Sequence, residues 1–222
     1  MRFFDQDSGL SKYGAILFDL TLLNFIVLTI SILTFGLGFG AAVTAMMFSI
    51  DRTLFEGRGY ALENFIQSFK RNWKQASAVW GLSYALIGLS RFAIELFSQM
   101  EGALSSLTIV YFAVIIEVIF ILIYALPTLA LIDIKLKPLI QQAFILSHKH
   151  IWVTLICTGL IGLGVYMTFE LHGIFLLFLL SGLGVVIDQF VIRTVLIKYL
   201  TDEQKQALFS NTLYAPKGYD DL

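Results

Sequence analysis

Six polar or ionisable side chains lie inside long apolar stretches of this chain and are its first candidates for chemistry. A charged side chain in hydrocarbon is costly and rare, so residues of this kind often mark an ion or proton pathway. If they face a common interior, they form a candidate intramembrane polar site. The alternative is a set of structural hydrogen bonds between helices. The six residues are Asp19, Asn24, Arg91, Glu95, Glu117 and Asp188.

The spacing of these residues distinguishes possible pairs from single groups. Arg91 and Glu95 are one helical turn apart and can pair with each other. Glu117 lies near the middle of its apolar stretch and has no charged partner within one turn. Asp188 lies beside Gln189, and Arg193 is one turn beyond Gln189. A proton-coupled pathway would therefore depend on Glu117 and Asp188.

A basic amphipathic helix is predicted at residues 61–75, immediately before an apolar stretch. Its apolar residues recur with the period of one helix face, and its basic residues lie on the other side. Such a helix lies naturally in the lipid headgroup layer, and it can also dock a protein partner or bind a lipid. A weaker copy of the pattern predicts a second interfacial helix at 136–148. The candidate partner or interfacial surface consists of Phe65, Phe69, Lys70, Arg71, Trp73 and Lys74.

Motifs for catalysis and for cofactor binding are missing where they would be recognisable. The sequence contains no Walker loop, which excludes ATP hydrolysis by that machinery. His148 and His150 are two residues apart and do not share a helix face, so they make a poor metal site. Gly36, Gly38 and Gly40 match no phosphate loop and instead favour close contact between helices. We expect no catalytic residue, metal, cofactor or nucleic-acid partner, and we expect that the chain is not an enzyme.

The composition indicates that lipid is the solvent for much of this chain. Of its 222 residues, 58% are hydrophobic and 14% are charged, and the mean hydropathy is +0.81. Soluble domains average about 45–50% apolar and about 25% charged residues. The first apolar stretch is longer than the hydrophobic region of a signal peptide, about 7–15 residues, so we expect it to be retained. The lipid bilayer is therefore an expected partner.

The distribution of basic residues predicts an orientation. Fourteen of the fifteen Lys and Arg residues fall on one side of a membrane if the chain crosses it six times, and Arg91 is the exception. An excess of Lys and Arg marks the cytoplasmic side. We predict an all-α polytopic membrane bundle, a single domain of residues 1–222 with three helical hairpins, both termini in the cytoplasm and interfacial helices on that side. The short segment 36–50 either spans or is re-entrant. The predicted spans are 14–34, 36–50, 77–97, 107–131, 151–168 and 173–196.

Several short segments in the first eighty residues carry a family likeness. They are Phe4-Asp-Gln-Asp-Ser-Gly-Leu10, Asp19-Leu-Thr-Leu-Leu-Asn24, Thr34-Phe-Gly-Leu-Gly-Phe-Gly-Ala-Ala-Val-Thr-Ala45, Glu56-Gly-Arg-Gly-Tyr60 and Phe65-Ile-Gln-Ser-Phe-Lys-Arg-Asn-Trp-Lys-Gln75. Together they resemble the start of the YesL family, small bacterial membrane proteins of unassigned biochemical function. The resemblance implies a multi-pass protein of the bacterial plasma membrane and an association with carbohydrate ABC importers.

Two hypotheses about function follow. The first is a non-enzymatic accessory or assembly component of carbohydrate ABC import, which engages importer subunits through the basic aromatic helix. The second is a small solute transporter or channel that uses the intramembrane carboxylates Glu117 and Asp188.

Overall fold

The regular elements of the chain are all helical in the part that the structure describes. This computed structural model describes residues 9–55, 60–100, 102–170, 176–200 and 202. Two π-helical turns, Asp51–Phe55 and Asp188–Leu196, continue α2 and α7 without a break. The predicted all-α fold is confirmed. The helices are α1 (Gly9–Leu33), α2 (Phe39–Ile50), α3 (Ala61–Ser98), α4 (Leu107–Leu131), α5 (Leu136–Lys149), α6 (Ile151–Glu170), α7 (Leu176–Ile187) and α8 (Ile197–Tyr199).

Five helical segments among the described residues are long and apolar enough to cross a membrane. They correspond to five of the six predicted spans, although residues 173–175 of the last one lie outside the described residues. The polytopic helical bundle is thus confirmed, while the number of six crossings stays a prediction. The five segments are Gly14–Leu33, Ala61–Ser98, Leu104–Leu131, Ile151–Glu170 and Leu179–Tyr199.

The sixth predicted span, 36–50, corresponds to α2 and differs from the others. With its π-helical turn it runs over residues 39–55, about 25 Å at 1.5 Å per residue, which is shorter than a hydrocarbon core of about 30 Å. Residues 40–52 are all buried, whereas α1, α3, α4 and α6 expose large hydrophobic side chains. A helix that is buried on every side is a core helix. Protein rather than lipid therefore surrounds α2.

Glycines in the turn before α2 allow it to approach α3 closely. Gly36 adopts φ +84°, and its carbonyl accepts a hydrogen bond of 2.8 Å from the Trp80 indole N–H. A Cβ atom on Gly40 would lie 2.3 Å from Cβ of Trp80 and 2.9 Å from the carbonyl oxygen of Ala76. Only a glycine fits at position 40, so the predicted close helix contact is confirmed there.

The predicted interfacial helix 61–75 and the predicted span 77–97 form one continuous helix, α3, of 38 residues. Between them lies Ala76, the best helix former, and no Gly or Pro interrupts the segment from 61 to 80. At 1.5 Å per residue α3 is about 57 Å long, nearly twice a hydrocarbon core of about 30 Å. If its apolar second half spans the membrane, its polar first half projects from it.

The second predicted interfacial helix is α5, which folds back along α4. Residues 132–135 connect the two helices, and a connection this short makes them antiparallel neighbours. Leu139, Ala143 and Leu146 are buried on one face of α5, at helical spacing. The Gln75 side chain of α3 donates to the carbonyl of Ile134 and holds the connection against α3.

Candidate functional site

Three charged side chains meet where the π-helical turns after α2 and α7 come together. The Arg193 Nη2 atom donates to Asp51 Oδ1 at 2.7 Å, and its Nε atom donates to Asp188 Oδ2 at 3.3 Å. Both carboxylates are buried, with 2% exposure for Asp51 and none for Asp188. We call these three residues the ion cluster. Buried charges require partners of this kind, because desolvating an unpaired charge is very costly.

The π-helical turn explains how the ion cluster assembles. Residues i and i+5 are hydrogen-bonded neighbours in a π-helix, so Arg193 lies over Asp188. In an α-helix of 3.6 residues per turn, positions five apart are about 140° apart around the axis and cannot pair in this way. Asp51 comes from the other π-helical turn. Such turns occur frequently at functional sites.

Aromatic rings and a further arginine surround the ion cluster. The Arg193 guanidinium lies 4.4 Å from the ring centroid of Phe55, and that of Arg52 lies 5.5 Å from Phe48. Burial raises the pKa of Asp51, while the charge and hydrogen bond of Arg193, and then the charge of Arg52, act in the opposite direction. The positive charges of two arginines thus offset the negative charges of two carboxylates. This arrangement joins the ends of α2 and α7 and suits a structural lock.

Asn24 has a structural contact in the bundle. Its side-chain oxygen accepts hydrogen bonds from the backbone N–H groups of Leu180 and Ser181, at 3.0 and 3.2 Å. Asn24 is 1% exposed. A buried amide that bridges two helices satisfies backbone donors that would otherwise be costly to bury. Asn24 therefore ties α1 to α7.

Glu117 has the partner that its sequence neighbourhood lacks. Its Oε2 atom lies 3.5 Å from Nε2 of His148 on α5. The other ring nitrogen, Nδ1, lies 3.0 Å from the carbonyl oxygen of Phe144. Nε2 is therefore the ring nitrogen that faces the carboxyl group of Glu117.

The remaining intramembrane candidates are not brought together. Arg91 and Glu95 are exposed on α3, and no ion pair within 4 Å joins them in the described part of the chain. Asp19 is half-buried on α1. The predicted common polar site is thus divided between the ion cluster, the Asn24 bridge and the Glu117–His148 contact. Residues 9–55, 60–100, 102–170 and 176–200 hold no group of three His, Cys, Asp or Glu residues that could bind a metal ion.

The predicted partner surface on α3 is divided between the core and the outside. Phe65 is 2% exposed, and Phe69 stacks on it with ring centroids 6.0 Å apart. The Arg71 guanidinium lies 5.8 Å from the ring of Phe48 and donates to a carbonyl at the end of α4. These three predicted surface residues therefore stabilise the bundle.

The outer side of the first half of α3 carries the rest of that surface and two apolar residues beyond it. Trp73 is 49% exposed, Leu62 44% and Ile66 43%. Lys70 and Lys74 are exposed beside them, and the Lys74 ammonium lies 5.7 Å from the Trp73 ring. We call these five residues the outer α3 face. In the sequence these three apolar residues belong to the same helical stripe as Phe65 and Phe69, and their spacing alone does not separate them from the core.

Comparison with known proteins finds a matching family model and a similar protein. A family model described as "Protein of unknown function, DUF624" matches residues 20–92. The chain is also similar to "Uncharacterized protein YesL" of Bacillus subtilis (strain 168), with 27% identity over 183 residues, which is 79% of this chain and 84% of that protein. No solved structure matches the chain.

Proposed function

We propose, since this chain belongs to the YesL family, that it is a non-enzymatic accessory or assembly component linked to carbohydrate ABC import. The outer α3 face is the observation that carries this proposal. It combines exposed apolar side chains with two lysines at the end of a long rigid helix. A basic and apolar face of this kind suits an acidic apolar groove on a partner protein.

We further propose that this face lies on the cytoplasmic side of the bacterial plasma membrane. The support is the charge distribution, because fourteen of the fifteen Lys and Arg residues share one side in the six-crossing topology. Both termini lie in the cytoplasm in this arrangement. Labelling from outside intact cells tests it, with single cysteines introduced into a Cys157→Ala background at Gln67 in the first half of α3 and at Ser98 at its far end.

The interior of the bundle favours binding over transport. Arg193, Asp51 and Asp188 are engaged with one another, and Asn24 is engaged with backbone groups. Groups held in this way reinforce the packing of helices. The choice of a carbohydrate importer as partner rests on the family resemblance, and the choice of a binding function rests on the outer α3 face.

The direct experiment is co-purification of the tagged full-length chain with importer permease subunits from mild detergent. Ile66→Glu places a carboxylate on the outer α3 face without touching the core, and we expect it to lose the permease. Ile145→Glu on α5 is the matched control, since Ile145 is also an exposed apolar residue, at 60%. Equal recovery of permease with both variants, or none with the unaltered chain after crosslinking, would refute the proposal.

The second candidate is a small solute transporter or channel that uses Glu117 and Asp188. The observation in its favour is that the charged side chains of the ion cluster, which include Asp188, lie inside the bundle between the ends of α2 and α7. Uptake by proteoliposomes tests it. Flux that is lost in Glu117→Gln and Asp188→Asn supports a pathway through these carboxylates, and flux that is unchanged in both eliminates it.

A further inference from the structure

The basic ends of two candidate membrane spans meet at one place. Lys149 and His150 immediately precede α6, and Lys198 and Tyr199 end the last span. We call these four residues the boundary cluster. Because the apolar parts of both helices end here, the cluster lies at the boundary between hydrocarbon and water.

Direct contacts join Lys149, His150 and Tyr199, and the charge of Lys198 acts on His150. His150 Nε2 and the Tyr199 hydroxyl are 2.9 Å apart, and the two rings meet edge to face at 5.7 Å. The Lys149 ammonium lies 4.9 Å from the centroid of the Tyr199 ring. Burial, and after it the charges of Lys149 and Lys198, lower the pKa of His150. Lys149 and Lys198 therefore supply the positive charge of the cluster.

Within residues 9–55, 60–100, 102–170, 176–200 and 202, no ion pair of 4 Å or less joins an acidic side chain to Lys149 or Lys198. Two residues after His150, the indole of Trp152 is 77% exposed, although it lies at the start of an apolar helix. Exposed Trp and Tyr beside Lys is the composition of a membrane interface, where amphipathic rings sit at the level of the headgroups.

We propose that the boundary cluster binds the phosphate of an anionic phospholipid headgroup. Lys149 and Lys198 provide the positive charge, and the Tyr199 hydroxyl and the His150 ring provide polar contacts. Trp152 lies against the glycerol and upper acyl region. A lipid fits better than a soluble phosphate because the exposed indole needs an apolar neighbour, which only a lipid brings to this depth. The site is separate from the outer α3 face and does not depend on the proposed function.

Native mass spectrometry of the full-length chain in detergent tests this proposal with phosphatidylglycerol and phosphatidylcholine as probes. We expect phosphatidylglycerol to bind more tightly. The double variant Lys149→Gln, Lys198→Gln should weaken phosphatidylglycerol binding by on the order of fivefold for each lysine, about 25-fold together. Binding of phosphatidylcholine should not change.

A matched variant tests whether binding depends on the two lysines of the boundary cluster or only on the total positive charge of the protein. Lys135→Gln, Lys137→Gln removes two exposed lysines before α5 and in its first turn, and it should leave phosphatidylglycerol binding nearly unchanged. Lys149→Arg, Lys198→Arg should retain it, which shows that the fold tolerates substitution. An equal loss of phosphatidylglycerol binding in the two glutamine variants would overturn the assignment of the site to the boundary cluster. Glycerol phosphate that binds as tightly as the lipid, with no effect of Trp152→Ala on the lipid, would show a soluble phosphate site and overturn the assignment to lipid.

Discussion

Removal of Arg193 is the perturbation whose effect can be worked out most fully from the structure. Arg193→Met deletes two charge-assisted hydrogen bonds, at 2.7 and 3.3 Å, and leaves Asp51 and Asp188 buried without this cation. Breaking a buried ion pair from one side costs about 3–5 kcal/mol. The Arg193 side chain is 28% exposed, and Arg52 remains nearby, so we expect the lower end of that range.

A loss of about 3 kcal/mol lowers the unfolding midpoint by about 6–12 °C in a chain of this size. The assay is thermal unfolding of the purified protein in detergent, followed by intrinsic fluorescence. Arg91→Met is the matched control, because Arg91 is exposed on α3. This substitution should change the free energy of unfolding by no more than about 0.5 kcal/mol. Asp51→Asn added to Arg193→Met should restore part of the loss. A midpoint for Arg193→Met that equals that of the control would refute the ion cluster.

Three further experiments test separate contacts. Asn24→Leu should cost about 1–3 kcal/mol in the same unfolding assay, because two buried N–H groups of α7 lose their acceptor, whereas an unchanged midpoint would show that Asn24 does not tie α1 to α7. Gly40→Ala should cost about 1–3 kcal/mol through overpacking against α3. Gly88→Ala, where a Cβ meets nothing within 4 Å, should be neutral or stabilising, and equal effects would contradict the close approach of α2. For Glu117 and His148, a double-mutant cycle should give a coupling of about 0.2–1 kcal/mol that weakens with salt, and a coupling of zero would exclude the pair.

Much of the helical architecture could be predicted because hydropathy reports directly on segments that avoid water. The predicted span 107–131 coincides with α4, and 151–168 lies within α6. The surroundings of 36–50 could not be predicted in the same way. Lipid and protein core are both apolar, so a helix such as α2 has the same composition in either one. Only its length indicated that it is no ordinary span.

The candidate polar residues were found in the sequence, but most of their partners were not. Asp188 and Arg193 pair at a spacing of five, which an α-helical pattern does not connect, and Asp51 is 142 residues from Arg193. The His148 that reaches Glu117 does so only because α5 folds back along α4. Long-range packing of this kind leaves no local periodicity that a single sequence could reveal.

The surface of α3 shows the same limit on a smaller scale. Phe65 and Trp73 belong to one apolar pattern, yet Phe65 packs in the core and Trp73 faces outward. One edge of a wide apolar stripe can pack in the protein core while the other edge faces outward, and the sequence does not say which edge does which.

The central claim is that this chain acts by binding a partner through the outer α3 face. A photo-crosslinking amino acid at Ile66 in the full-length chain, activated in growing cells, tests it most directly, with Ile145 on α5 as the comparison site. The account predicts a crosslinked band from Ile66 that contains an importer permease subunit and no such band from Ile145. Crosslinks only to lipid from both sites, or the same permease band from each, would contradict it.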